Sequence, residues 1–186
     1  MTYLIIGFIL LLVIAPLFAI LPSARQKEQM KMRREAMDKG ISVELTSIQD
    51  PVPRQDKYLS NTGKRLEPLL KVAAYRVVRK KPLEWRLSPV IGWGLERGEE
   101  PCPGLPEPWR WSQPKPDVLS EEMKVFLARE LSSLPDDVVK IDEVNYVLSA
   151  YWLEGSGEVG LASIVRFLNG CVAIPLQNLP DDSKPQ

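Results

Sequence analysis

Residues 120–153 read SEEMKVFLARELSSLPDDVVKIDEVNYVLSAYWL, and this stretch holds the pattern that decides the fold class. Between positions 123 and 134 apolar residues recur at the spacing of one helix face. Ser120 is a suitable N-cap, and the two glutamates after it favour the positive end of a helix dipole. The first half of the stretch therefore predicts an amphipathic helix.

The second half of the stretch predicts a β-hairpin with strands at 138–143 and 146–153. A helix over 142–153 fits the apolar spacing as well, so the choice between strand and helix stays open there. Two acidic pairs, Asp136/Asp137 and Asp142/Glu143, are interpreted as surface residues because aspartate favours helix ends and turns. A helix followed by a hairpin is typical of an α+β domain.

The chain after the hairpin contains a glycine motif, GSGEVG at 155–160. It matches the G-x-G-x-x-G fingerprint of dinucleotide-binding folds and has Asp181 about twenty residues further on. We reject that function because too little chain follows to build a doubly wound sheet. A strand-to-helix turn is the simpler interpretation, with a helix over 158–169 and a disordered tail at 177–186.

Upstream of the helix lies a proline-rich loop at 99–116 in which no strand or helix is expected. Trp109 and Trp111 lie in this loop. Either the loop is a docking segment for a partner, or the two rings pack back onto the sheet. Further strands are predicted at 41–48, 69–79 and 83–95 by alternation of apolar and polar residues. Together the patterns predict a domain at 41–176, with a mainly antiparallel sheet and two helices on one face.

A basic region at 64–86 falls on two of these strands. It is interpreted as the solvated face of a sheet or as a surface that contacts lipid or RNA. The candidate contact residues are Arg76, Arg79, Lys80 and Lys81. The chain has 24 basic and 24 acidic residues, so its net charge does not favour nucleic acid as the main partner.

Every residue from position 4 to 21 is apolar, and eighteen helical residues span about 27 Å, close to the thickness of a bilayer core. We therefore expect a transmembrane anchor at 1–22. The alternatives are a cleaved signal peptide and a buried core helix. A signal peptide requires a basic residue before its apolar run, and this chain has none there. Core helices rarely contain so long an apolar stretch.

Residues 23–40 predict a basic juxtamembrane helix, either a spacer along anionic headgroups or a helix that docks a partner. Its candidate contact residues are Arg25, Lys27, Lys31, Arg33 and Arg34. Because basic residues follow the span and none precede it, the N-terminus is expected outside and the domain in the cytoplasm. In a bacterium this is a single-pass protein of the inner membrane.

The order of these segments resembles a known family. An uncharged span, then LPSARQKEQ at 21–29, a basic helix, Lys39-Gly40 and a short strand resemble YajC, the accessory subunit of the bacterial preprotein translocase. The resemblance covers residues 4–48 and implies a role beside that translocase. The Arg-Pro pair that follows the span in YajC is missing here.

Composition excludes several kinds of chemistry. The chain has no histidine, so imidazole catalysis and histidine-ligated metals are excluded. Cys102 and Cys171 are far apart in sequence and are interpreted as idle thiols. No enzyme, cofactor or metal is expected. The favoured function is an accessory or scaffold protein that acts through protein–protein contacts at the membrane.

Overall fold

The computed structural model describes residues 22–81, 92–112 and 119–176, together with Tyr3 and Gly7. In chain order the elements are α1 (Ala24–Asp38), β1 (Ser42–Gln49), β2 (Leu69–Val78), β3 (Trp93–Arg97), β4 (Trp109–Trp111), α2 (Glu121–Glu130), β5 (Val138–Val144), β6 (Val147–Trp152) and α3 (Gly157–Ala173). Single 3-10 turns lie at Gln55–Tyr58 and Leu131–Ser133. The α+β class is confirmed.

The six described strands form one sheet in the order β1-β2-β6-β5-β3-β4, and every neighbouring pair is antiparallel. β5 and β6 make the predicted hairpin. Their turn places Asn145 and Tyr146 at φ 52° and 65°, the left-handed pair that a two-residue turn needs. The choice between strand and helix at 142–153 is therefore settled in favour of strands.

One face of the sheet carries the core. A row of directly paired residues crosses it from Tyr75 through Ala150, Ile141 and Leu95 to Trp111. All three described helices contribute to the same buried cluster, through Met32, Ala36, Met123, Leu127, Leu161, Ile164, Phe167 and Leu168. The helices therefore cover this face, and α1 is a third helix beyond the two that the sequence predicts for the domain.

Helix α1 begins at a complete capping box, in which the Ser23 hydroxyl accepts from the Gln26 backbone and the Gln26 side chain accepts from the Ser23 backbone. Gly40 closes it at φ 80°, a conformation that favours glycine. Met32 and Ala36 are 1% and 0% exposed within the core. α1 is thus part of the folded domain, and the boundary expected at residue 40 does not interrupt the packing.

The proline-rich loop was expected to hold no strand, and this is wrong for Trp109–Trp111, which forms β4. An edge strand needs ladder hydrogen bonds on one side only, so nearby prolines are tolerated. Of the strand predicted at 83–95, residues 92–95 are described, and the observed strand begins at Trp93.

The anchor predicted at 1–22 falls almost wholly outside the described residues, as does the tail at 177–186. No helix within the described ranges has the length and apolar character needed to cross a membrane.

Candidate functional site

Helix α1 is held on the domain by a buried carboxylate. The Arg33 guanidinium donates to both Glu154 oxygens, with Nε 2.8 Å from Oε1, and the Tyr75 hydroxyl donates to Oε1 at 2.9 Å. The Glu154 side chain is 3% exposed. Burial, together with the neighbouring Glu154 charge, raises the pKa of Tyr75 far above its ordinary value, so the hydroxyl stays a donor. At the surface, Lys31 Nζ lies 2.5 Å from Glu158 Oε1.

The opposite side of α1 is exposed within the described part of the chain. Lys27, Met30, Arg34 and Met37 follow the spacing of a single helix stripe, which runs about 15 Å along the axis. Met30 and Met37 are 60% and 53% exposed. Among the described residues neither Lys27 nor Arg34 has an ion-pair partner, so the stripe presents two thioethers that alternate with two unneutralised cations. We call these four residues the α1 stripe.

The structure divides the five predicted contact residues of this helix into two groups. Arg25, Lys27 and Arg34 are exposed, and no carboxylate of the described residues pairs with them. Lys31 and Arg33 instead pair with Glu158 and Glu154, and the pair with the buried Glu154 fastens α1 to the domain.

The four predicted contact residues on and after β2 do not form one patch. The Arg76 guanidinium pairs with Glu44 on β1, and Arg79 is 6% exposed. Lys80 is exposed, and Lys81 lies over the Tyr146 ring. Arg79 is therefore not a surface contact, because its guanidinium is buried and paired with Glu143.

The Arg79 side chain forms a buried bidentate pair with Glu143, at 2.6 Å from Nε to Oε1 and 2.9 Å from Nη2 to Oε2. Trp93 Nε1 donates to Oε2 at 3.1 Å. The remaining guanidinium nitrogen donates to the Val172 and Ile174 carbonyls at the end of α3, where a cation is favoured by the helix dipole. This network ties β2, β3 and β5 to the C-terminal helix.

The interpretation of Asp142/Glu143 as surface residues was wrong, since they are 7% and 0% exposed. Asp142 pairs with Lys140 at 3.1 Å and accepts from the Tyr151 hydroxyl at 3.3 Å. One sequence signal was available for Glu143. It follows Ile141 by two residues, and in a strand that spacing returns to the same face.

The two tryptophans of the proline-rich loop pack back onto the sheet, which is one of the two predicted alternatives. Trp109 is 1% exposed, and the Arg97 guanidinium lies 5.0 Å from its ring centroid. Trp111 is half-buried against the core. Neither ring is presented as a free docking anchor.

The glycine motif already binds a carboxylate of the same chain, that of Asp137. Asp137 Oδ2 accepts from the backbone N–H groups of Gly155 and Ser156, at 2.5 and 2.9 Å, and its Oδ1 accepts from the Ser156 hydroxyl at 2.7 Å. A phosphate would need the same donors at the start of α3. The place of a ligand is therefore taken by a carboxylate of the chain, which supports the rejection of a dinucleotide site.

We expect Asp137→Ala to lower the free energy of unfolding by about 1–2 kcal/mol, because it leaves the donors at the start of α3 unsatisfied. Urea denaturation of the purified chain measures this. Asp136→Ala is the matched control, since its side chain is fully exposed and only reaches Arg97 at 3.5 Å. Equal effects of the two substitutions would contradict the capping role of Asp137.

Within the described ranges no group of three acidic or cysteine side chains is placed to hold a metal ion. Burial raises the pKa of the Cys171 thiol, which keeps it protonated and unreactive, and Cys102 is also free. Compared with known proteins, the chain matches no family model, no curated protein and no solved structure.

Proposed function

We propose that the chain is a non-catalytic accessory or scaffold protein of the bacterial inner membrane, anchored by residues 4–21. The domain lies in the cytoplasm, and the α1 stripe contacts a membrane-protein partner. The observation that carries the proposal is the junction at Pro22 and Ser23. An apolar run long enough to span a bilayer ends at Leu21, and the capped helix begins three residues later at Ala24.

The packing of α1 supports this proposal. Because α1 shares the core through Met32 and Ala36, the domain is held within a few residues of the apolar run and not on a long linker. The α1 stripe then lies at the membrane end of the domain. Exposed methionines adapt to varied partner surfaces, and Lys27 and Arg34 favour an acidic one.

The resemblance of residues 4–48 to YajC supports the preprotein translocase as the particular complex within this proposal. A lipid- or RNA-contacting role for 64–86 has less support, because Arg79 and Arg76 are committed to carboxylates of the chain.

Membrane anchoring and orientation are tested with fusions at the C-terminus of the full chain. We expect a fluorescent protein that folds in the cytoplasm to be active there and alkaline phosphatase to be inactive. We also expect the chain to stay in the membrane fraction after carbonate extraction. Phosphatase activity at the C-terminus would overturn the orientation, and release by carbonate would overturn the anchor.

The contact role of the α1 stripe is tested by photo-crosslinking in intact cells from Met30 and, in a second variant, from Met37. We expect one membrane protein to be captured from both positions, since they share a face. Val125 is the control because it is 64% exposed on a different helix. Capture of lipid alone from both stripe positions would overturn the scaffold function.

A further inference from the structure

Among the described residues, β1 is an edge strand and has no strand partner on the side away from β2. It is paired with β2 over its whole length, Ser42–Gln49, without a register shift. Natural proteins protect such edges with lysines, prolines or bulges. β1 has none of these, and its only charged side chain, Glu44, is paired with Arg76 on the neighbouring strand.

The helix-covered face of β1 is incompletely buried. Leu45 lies directly opposite Ala73, which is 2% exposed, so it belongs to the core face, yet it is itself 65% exposed. Beside it runs an open groove of about 340 Å³ between α1 and the sheet, with Gln29 and Arg33 on the helix side. A leucine on the core side of a regular edge strand marks a place where apolar contact is missing.

The sequence of β1 allows antiparallel pairing with a second copy of itself. Directly opposite residues in an antiparallel pair share a face, so a two-fold axis at Leu45 places Leu45 against its copy. In that register Val43 faces Ser47, and Glu44 faces Thr46. No like charges stand directly opposite each other, and each Glu44 keeps its own Arg76 as counter-ion.

We propose that the chain forms a two-fold dimer by antiparallel pairing of β1 with β1 of a second copy, centred on Leu45. The two sheets become one continuous sheet, and the two Leu45 side chains cover each other beside α1. The axis stands perpendicular to the sheet, so both copies keep their helices on the same side. This proposal does not depend on the membrane anchor, which is tested separately.

The test is cysteine crosslinking of the full chain in intact cells, in a Cys102→Ser background with the buried Cys171 retained. We expect Leu45→Cys to yield about tenfold more covalent dimer than Val125→Cys, because paired Cβ atoms in a sheet lie about 5 Å apart. Val125 is a matched control, since its exposure of 64% equals that of Leu45 within one percentage point. Both positions are exposed, so neither substitution threatens the fold.

Register is tested by coexpressing two differently tagged chains. Val43→Cys with Ser47→Cys is expected to crosslink between chains, whereas Val43→Cys with Ile48→Cys is not, because these two side chains point to opposite faces. Leu45→Lys, which sets two like charges together, is expected to abolish the Val43/Ser47 crosslink. Equal crosslinking of Leu45→Cys and Val125→Cys, or capture of a protein of different mass at position 45, would overturn the proposal.

Discussion

Glu143→Leu is expected to lower the free energy of unfolding by about 3–5 kcal/mol, because it leaves the Arg79 charge buried without its partner. Arg79→Met is expected to cost a similar amount for the reciprocal reason. The pair is 6% and 0% exposed, so water cannot replace the lost contacts. Urea denaturation of the purified chain, followed by tryptophan fluorescence, measures both losses.

The double variant Arg79→Met/Glu143→Leu separates the pair from simple loss of packing. We expect its loss of unfolding free energy to be smaller than the sum of the two single losses by about 2–3 kcal/mol, since no unpaired charge is left. Trp93 and the α3 carbonyls still lose their partners, so recovery is partial.

The exposed pair of Arg76 with Glu44 is the control for the buried one, and Arg76→Met is expected to cost under about 1 kcal/mol. Single losses of that small size at Arg79 and Glu143 would contradict the burial of their pair.

Glu154→Gln is expected to cost about 2–3 kcal/mol and to loosen α1 from the domain. The amide keeps the size and backbone of the side chain but loses the charge that accepts from Arg33 and from Tyr75. Glu154 also has φ 57°, a strained backbone held in place by these contacts, so a shape-preserving substitution is the cleaner choice. In this variant the rate of amide hydrogen exchange is expected to rise more in α1 than in α3.

Two further variants show which part of this contact matters. Tyr75→Phe is expected to cost about 1 kcal/mol, because it removes one of the donors to Glu154 and leaves the charge paired with Arg33. Glu158→Gln removes the surface partner of Lys31 and is expected to leave exchange in α1 nearly unchanged. If Glu154→Gln left α1 as protected as before, the charge of Glu154 would not be what holds the helix to the domain.

Much of the local structure follows from short-range patterns in the chain. The Ser23 and Ser120 caps, the strands β1 and β2, and the start of α3 all lie within a few residues of their predicted positions. Each depends on neighbouring residues, through the period of the apolar positions or the side chain that caps a turn. The hairpin is intermediate, since helix and strand periods both fit its second half.

The candidate contact residues were less predictable, because sequence patterns do not tell a paired cation from a free one. Lys27 and Lys31 are alike in sequence, but within the part of the chain that the structure describes only Lys31 meets a carboxylate. Arg79 and Lys80 are neighbours, and one is buried while the other is exposed. The α1 stripe is defined by the folded structure, because pairing with Glu158 and Glu154 sets Lys31 and Arg33 apart from Lys27 and Arg34.

The sequence alone establishes the apolar run at 4–21, the absence of histidine chemistry, and an α+β domain with an antiparallel sheet. The order of the strands, the inclusion of α1 in the core and the edge position of β4 depend on the folded chain. The residues that pair in these arrangements are distant in sequence: Arg79 and Glu143 are 64 positions apart, and Arg33 and Glu154 are 121 apart. Periodicity reports which face of an element is buried, whereas burial of a charge depends on which opposite charge the fold brings to it.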